Sequence, residues 1–133
     1  TRLSLAYEIG SYLKLFMSRD YSLYLYDILE ACQSVQEYTD GQTFAEFVTD
    51  KKTQDAVIRN LEIIGEAVKN IPSELLATRT EIEWKQIARF RDNVIHRYFG
   101  VQLTIVWDIV ENKLGELESA VSDMIENYPD GTE

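Results

Sequence analysis

The sequence predicts an all-α protein, an up-and-down bundle of amphipathic helices joined by short loops. Three observations carry this. Apolar residues recur at three- and four-residue intervals through most of the 133 residues, which is the spacing of one helix face. No stretch alternates with period two for long enough to form a strand. The two prolines, Pro72 and Pro129, stand where helices begin or end rather than inside them.

Each element follows from local signals. Residues 3–16 form a first helix. Ser18 or Asp20 caps a second that runs to about Tyr38, with Tyr21, Leu25, Ile28, Cys32 and Val35 as its apolar stripe. "TDGQ" at 39–42 closes it, with Gly41 free to take a positive φ. Thr43 caps a short helix through Phe44 and Phe47, and Asp50 caps a long one over 51–70. Val57, Leu61, Ile64, Val68 and Ile71 give the long helix a three-four seam. Gly65 lies beside that seam, where a missing side chain admits another helix closely. "PSELL" opens a short helix after Pro72. Glu83 to about Arg97 gives the next helix, and Leu103 to Asn127 the last.

Length and composition narrow the function classes. The chain fits one domain and is long enough to bury a core without disulfides or metals. Met17 reads as a natural start, which makes residues 1–16 an amino-terminal extension, 17–127 the folded domain and 128–133 a tail. No apolar run approaches the roughly 20 residues of a membrane span. The stretch from Leu3 to Phe16 is interrupted by Glu8, Gly10 and Lys14 and makes a poor signal peptide. The single cysteine, Cys32, has no internal partner and fits a small core residue in a reducing, cytoplasmic setting. A net charge of −10 argues against a protein that coats nucleic acid generally. The exception is residues 79–97, where Arg79, Lys85, Arg89, Arg91 and Arg97 outnumber Glu81, Glu83 and Asp92.

That basic segment contains "RDNVIHRYFG" at 91–100, with the only histidine, His96. Other chemistries lack their residues: one Cys and one His do not make a zinc site, no glycine-rich loop cradles a phosphate, and no serine sits in a nucleophile elbow. On an ideal helix Arg91 and Tyr98 lie within about 20° of each other, flanked by Ile87, Val94 and Ile95. A guanidinium is charged at any working pH, so its place in an apolar stripe needs an anionic partner or a wet cleft. A structural salt bridge to Glu62 or Glu66 would serve, and so would a ligand phosphate. His96 lies about 140° from Arg91, so the two share a face only if the helix distorts or ends nearby. Asp92 stands one turn before His96, placed to orient the imidazole. Taken alone, His96 also fits a histidine at a helix C-terminus, favoured by the helix dipole.

The pattern Arg-x-x-x-x-His-x-Tyr, filled by Arg91, His96 and Tyr98, resembles the signature of HEPN-domain proteins of the HepT type. "RDYSLYLYDILEA" (19–31), "KKTQDAVIRNLEIIGEAVKNIP" (51–72) and "FGVQLTIVWDIV" (99–110) are similar to the same family in the same order. The likeness covers about residues 17–127. It implies a HEPN-like helical bundle that dimerises, with motif arginine and histidine of two subunits meeting in one cleft. It also implies a metal-independent endoribonuclease, the toxin of a type VII-like toxin–antitoxin pair. Its partner would be a minimal nucleotidyltransferase antitoxin that adenylylates Tyr98.

The chemistry of the residues is compatible. Metal-free RNA cleavage uses the ribose 2′-hydroxyl as nucleophile and needs a proton acceptor, a proton donor and a cation. His96 supplies the first or second, Arg91 the cation, and Asp92 holds the tautomer. No cofactor is called for. The alternative is a non-catalytic, nucleotide-binding or regulatory partner of a nucleotidyltransferase, with Arg91 holding a nucleotide phosphate.

Overall fold

The computed structural model describes residues 2–96 and 102–127, with side chains from Tyr21 to Arg91 and from Gln102 to Asn127. Among the described residues every regular element is helical: α1 (Arg2–Thr39), α2 (Phe44–Val48), α3 (Lys51–Lys69), α4 (Ser73–Leu76), α5 (Trp84–His96), α6 (Leu103–Asn112) and α7 (Leu114–Asn127). None of them is long and apolar enough to cross a membrane.

Two expected boundaries are corrected. The first two helices are one, because α1 runs unbroken from Arg2 to Thr39. Ser18 and Asp20 can cap a helix, but they do so only where the backbone before them leaves helical geometry. No proline stands there to force it. The expected last helix is two, divided at Lys113 (φ −117°, ψ −35°). Asn112 and Gly115, both weak helix formers, bracket the break. The hydrogen-bond ladder largely survives it, since Lys113 N–H donates to Ile109 O at 3.0 Å and Leu117 N–H to Lys113 O at 3.1 Å.

The remaining local signals do what their chemistry suggests. Gly41 takes φ +73°. Thr43 and Glu46 form a reciprocal capping box: Glu46 N–H donates to Thr43 Oγ1 at 3.2 Å and Thr43 N–H to Glu46 Oε1 at 2.9 Å. Asp50 caps α3, its Oδ1 accepting from Thr53 N–H at 3.1 Å. The side chain of Gln54 donates to the carbonyls of Phe47 and Val48, both at 2.9 Å, and so ties down the end of α2.

Helix α3 is the centre of the bundle, packed against both α1 and α5; α7 packs on α1, and α6 runs into α7 at the Lys113 break. The α3 seam is fully buried, as are Leu25, Ile28, Cys32 and Val35 of the α1 stripe, while Tyr21 is half-buried at its end. Val106 of α6 and Leu114, Leu117, Val121 and Met124 of α7 complete the core. Phe47 anchors α2 against Trp107 of α6, ring centroids 5.0 Å apart.

Candidate functional site

The site builds from the contact between α3 and α5. Gly65 is buried in α3, directly against Arg91 of α5. A Cβ at Gly65 would collide with Arg91 Cβ and would lie 3.1 Å from the Ile87 carbonyl oxygen and 3.2 Å from Arg91 Cγ. The absent side chain is therefore what lets the two helices meet here. The stem of Arg91 lies on this glycine, and its guanidinium pairs with the next residue of α3, Glu66, Nη2 to Oε2 at 3.0 Å. The Arg91 side chain is 29% exposed and that of Glu66 is 53%. Neither end of the pair is sealed from water, so an incoming anion can reach the guanidinium.

A cavity of about 230 Å³ opens beside the pair, walled by Tyr24 and Asp27 of α1, Arg59, Glu62, Ile63, Glu66 and Ala67 of α3, and Arg91. Its polar groups are mixed in sign. Among the described residues no three His, Cys, Asp or Glu side chains are arranged to hold a metal ion. A larger cavity of about 400 Å³ lies between α3, α5, α6 and α7, with Ile64, Ile87, Phe90, Ile105 and Ile109 in its wall. It is lined chiefly by apolar groups and does not include Arg91.

Among the described residues, the basic segment does not act as one patch. Arg79 is a structural cross-link: it pairs with Glu81 at 2.6 Å and reaches across to Asp123 of α7 at 3.1 Å. These hydrogen bonds raise its already high pKa and hold the Glu81 carboxyl below the usual carboxylate range. Its carbonyl also accepts from Trp84 Nε1–H at 3.0 Å. Lys85 and Arg89 are exposed. Of the candidate residues, the structure thus places Arg91 at a cavity with a carboxylate partner, resolving the choice between Glu62 and Glu66. Asp92 and His96 lie on the described backbone of α5, but their side chains, and Tyr98 entirely, lie outside the described residues. Tyr24, Asp27 and Arg59 were not singled out in the sequence. Arg59 had a signal, since it shares the face of Glu62 and Glu66 at three- and seven-residue spacing.

A family model described as Ribonuclease HepT-like matches residues 28–124, which include α5 and the whole Arg91–Tyr98 motif. The chain belongs to the HepT-like ribonuclease family. This HepT-like chain is 47% identical over 110 residues to "Putative RNase MJ0127" of Methanocaldococcus jannaschii, covering 80% of this chain and 91% of that one. It is 47% identical over 102 residues to "Probable ribonuclease HepT" of Thermococcus cleftensis, covering 77% and 93% respectively. With "Putative RNase TTE0752" of Caldanaerobacter subterraneus subsp. tengcongensis it shares 42% identity over 103 residues, 77% of this chain and 92% of that protein. No solved structure matches it significantly.

Proposed function

We propose that this HepT-like protein is a metal-independent endoribonuclease, the toxin of a type VII-like toxin–antitoxin pair. Its family and the ribonuclease names of its relatives support the reaction class. The observation that carries the reading is Arg91: an always-charged guanidinium held by Glu66 at the edge of a solvent-open cavity. A charged group open to solvent in this way supports a role in meeting a phosphate as well as in joining two helices.

In this reading His96 accepts the proton of a ribose 2′-hydroxyl, whose oxygen attacks the adjacent phosphorus. The bond from 2′-oxygen to phosphorus forms and the bond from phosphorus to the 5′-oxygen breaks. The leaving oxygen takes a proton, so the products are a 2′,3′-cyclic phosphate and a 5′-hydroxyl. Arg91 stabilises the charge that builds on the phosphorane oxygens. Asp92 orients the imidazole of His96. Each chain carries one histidine, and arginine does not release a proton at working pH. A two-fold homodimer supplies a second His96 as the acid. A minimal nucleotidyltransferase antitoxin would transfer AMP to Tyr98, adding an anionic phosphate and a bulky base at the cleft.

The test is cleavage of a defined RNA in excess chelator. Cyclic-phosphate ends are expected, with loss of activity in Arg91→Ala and His96→Ala chains. Undiminished cleavage by either variant refutes the assignment. Incubation with the partner enzyme and ATP should add AMP mass to the chain; labelling that persists in Tyr98→Phe excludes Tyr98 as the sole acceptor.

A further inference from the structure

We propose that Glu66 is a positioning residue for Arg91, acting on RNA cleavage through the guanidinium and not by touching substrate; this rests on the ribonuclease reading above. Three observations converge on it. The stem of Arg91 is fixed at its base, because Cβ and Cγ lie against the backbone of Gly65 with no side chain between. Its far end is fixed by Glu66 at 3.0 Å. Both residues stand on the wall of the same 230 Å³ cavity, Glu66 from α3 and Arg91 from α5. The fewer contacts that fix a guanidinium, the more rotamers it samples, and that freedom would be lost each time it gripped a phosphorane. Held at both ends, it meets the developing charge already oriented.

The carboxylate also has an opposing effect, because it is a negative charge beside the place where a phosphate would sit. Its removal should therefore weaken the chemical step while leaving RNA binding unchanged or tighter. That combination separates positioning from ground-state attraction. It also separates positioning from a general loss of folding. An exposed pair of this kind contributes little to stability, so Glu66→Ala should melt close to the unaltered chain.

The experiment measures kcat and KM for a short single-stranded RNA with the full chain, Glu66→Ala, Glu66→Gln, Arg91→Ala and Glu66→Ala/Arg91→Ala. The expected results are a fall in kcat of roughly tenfold in Glu66→Ala with KM unchanged or lower. Glu66→Gln, whose amide oxygen still accepts from the guanidinium, should recover most of that rate. The double variant should be no slower than Arg91→Ala, since without Arg91 there is nothing for Glu66 to hold. Wild-type kcat in Glu66→Ala, or a further tenfold loss on adding it to Arg91→Ala, overturns the proposal while leaving Arg91 in place. Full cleavage by Arg91→Ala, or no cleavage by the unaltered chain, overturns the ribonuclease reading and this proposal with it.

Discussion

Replacing Gly65 by alanine should destabilise the protein, although alanine is the better helix former. In an open helix interior the exchange gains about 1 kcal/mol. At Gly65 the added methyl would overlap Arg91 Cβ and come within 3.1 Å of the Ile87 carbonyl oxygen. Neither atom can rotate away, because one is fixed to the α5 backbone and the other is part of it. Relief requires α3 and α5 to move apart by on the order of 1 Å, and overpacking of this kind costs about 1–3 kcal/mol. With unyielding neighbours the upper end applies, so the net loss is about 2 kcal/mol after the helix gain is set against it. Gly115 is the internal control. It lies in the first turn of α7 with nothing within 4 Å of an added Cβ, so Gly115→Ala should stabilise by about 0.5 kcal/mol. Urea unfolding followed by circular dichroism, with a shared m-value, reads both changes. Cleavage by Gly65→Ala should fall further than its folded fraction does, since displacing Arg91 by about 1 Å can lower a rate by roughly 100-fold. A Gly65→Ala chain as stable as Gly115→Ala would refute the close-approach argument.

Other outcomes follow from the same structure. Thr43→Ala removes the side-chain acceptor of the capping box and should cost about 1 kcal/mol, seen first as faster amide exchange in α2. Cys32 is buried, and burial, followed by the charge of Glu118, pushes its thiol up to about 12. Its contribution to stability is therefore present below the ordinary thiol value of about 8.5 and is lost as pH rises from there toward 12; Cys32→Ala should show a shallower alkaline decline in urea titrations. The same burial predicts that a thiol reagent at neutral pH labels the chain only as fast as it opens, and immediate labelling in native buffer would contradict it. The composite site is tested by mixing Arg91→Ala and His96→Ala chains, whose mixed dimer should regain part of the activity that each lacks alone. A chain that cuts RNA as a monomer at micromolar concentration would exclude it.

The parts of the fold that could be read from the sequence are those set within one helix or one turn. The α3 seam, the caps at Thr43 and Asp50 and the positive φ of Gly41 depend on neighbours a few residues away, and each stands as expected. The misread boundaries depend on something else. Ser18 and Asp20 tolerate a helix interior as well as a cap, so their presence does not stop α1. At Lys113 the apolar pattern continues through the break, with Val106, Leu114 and Leu117 all buried. A periodic pattern registers which face is inward and not whether the axis between two inward residues is continuous.

The site divides along the same line. A permanent charge in an apolar stripe demands a partner, and that reasoning needs only the α5 sequence and the physics of burial. It leaves a ligand anion or a salt bridge to Glu62 or Glu66 open, and the two glutamates, one turn apart on one face of α3, cannot be separated by the pattern. The choice is made by Gly65. Because α5 meets α3 at that residue, the Arg91 stem rests on it and the guanidinium meets the residue that follows, Glu66. Glu62 lies one turn back on α3 and lines the same cavity. The wall supplied by α1, with Tyr24 and Asp27, could not be read at all, since it exists only once α1 has packed against α3. The glycine beside the seam therefore sets the helix spacing and, through it, the carboxylate that Arg91 engages.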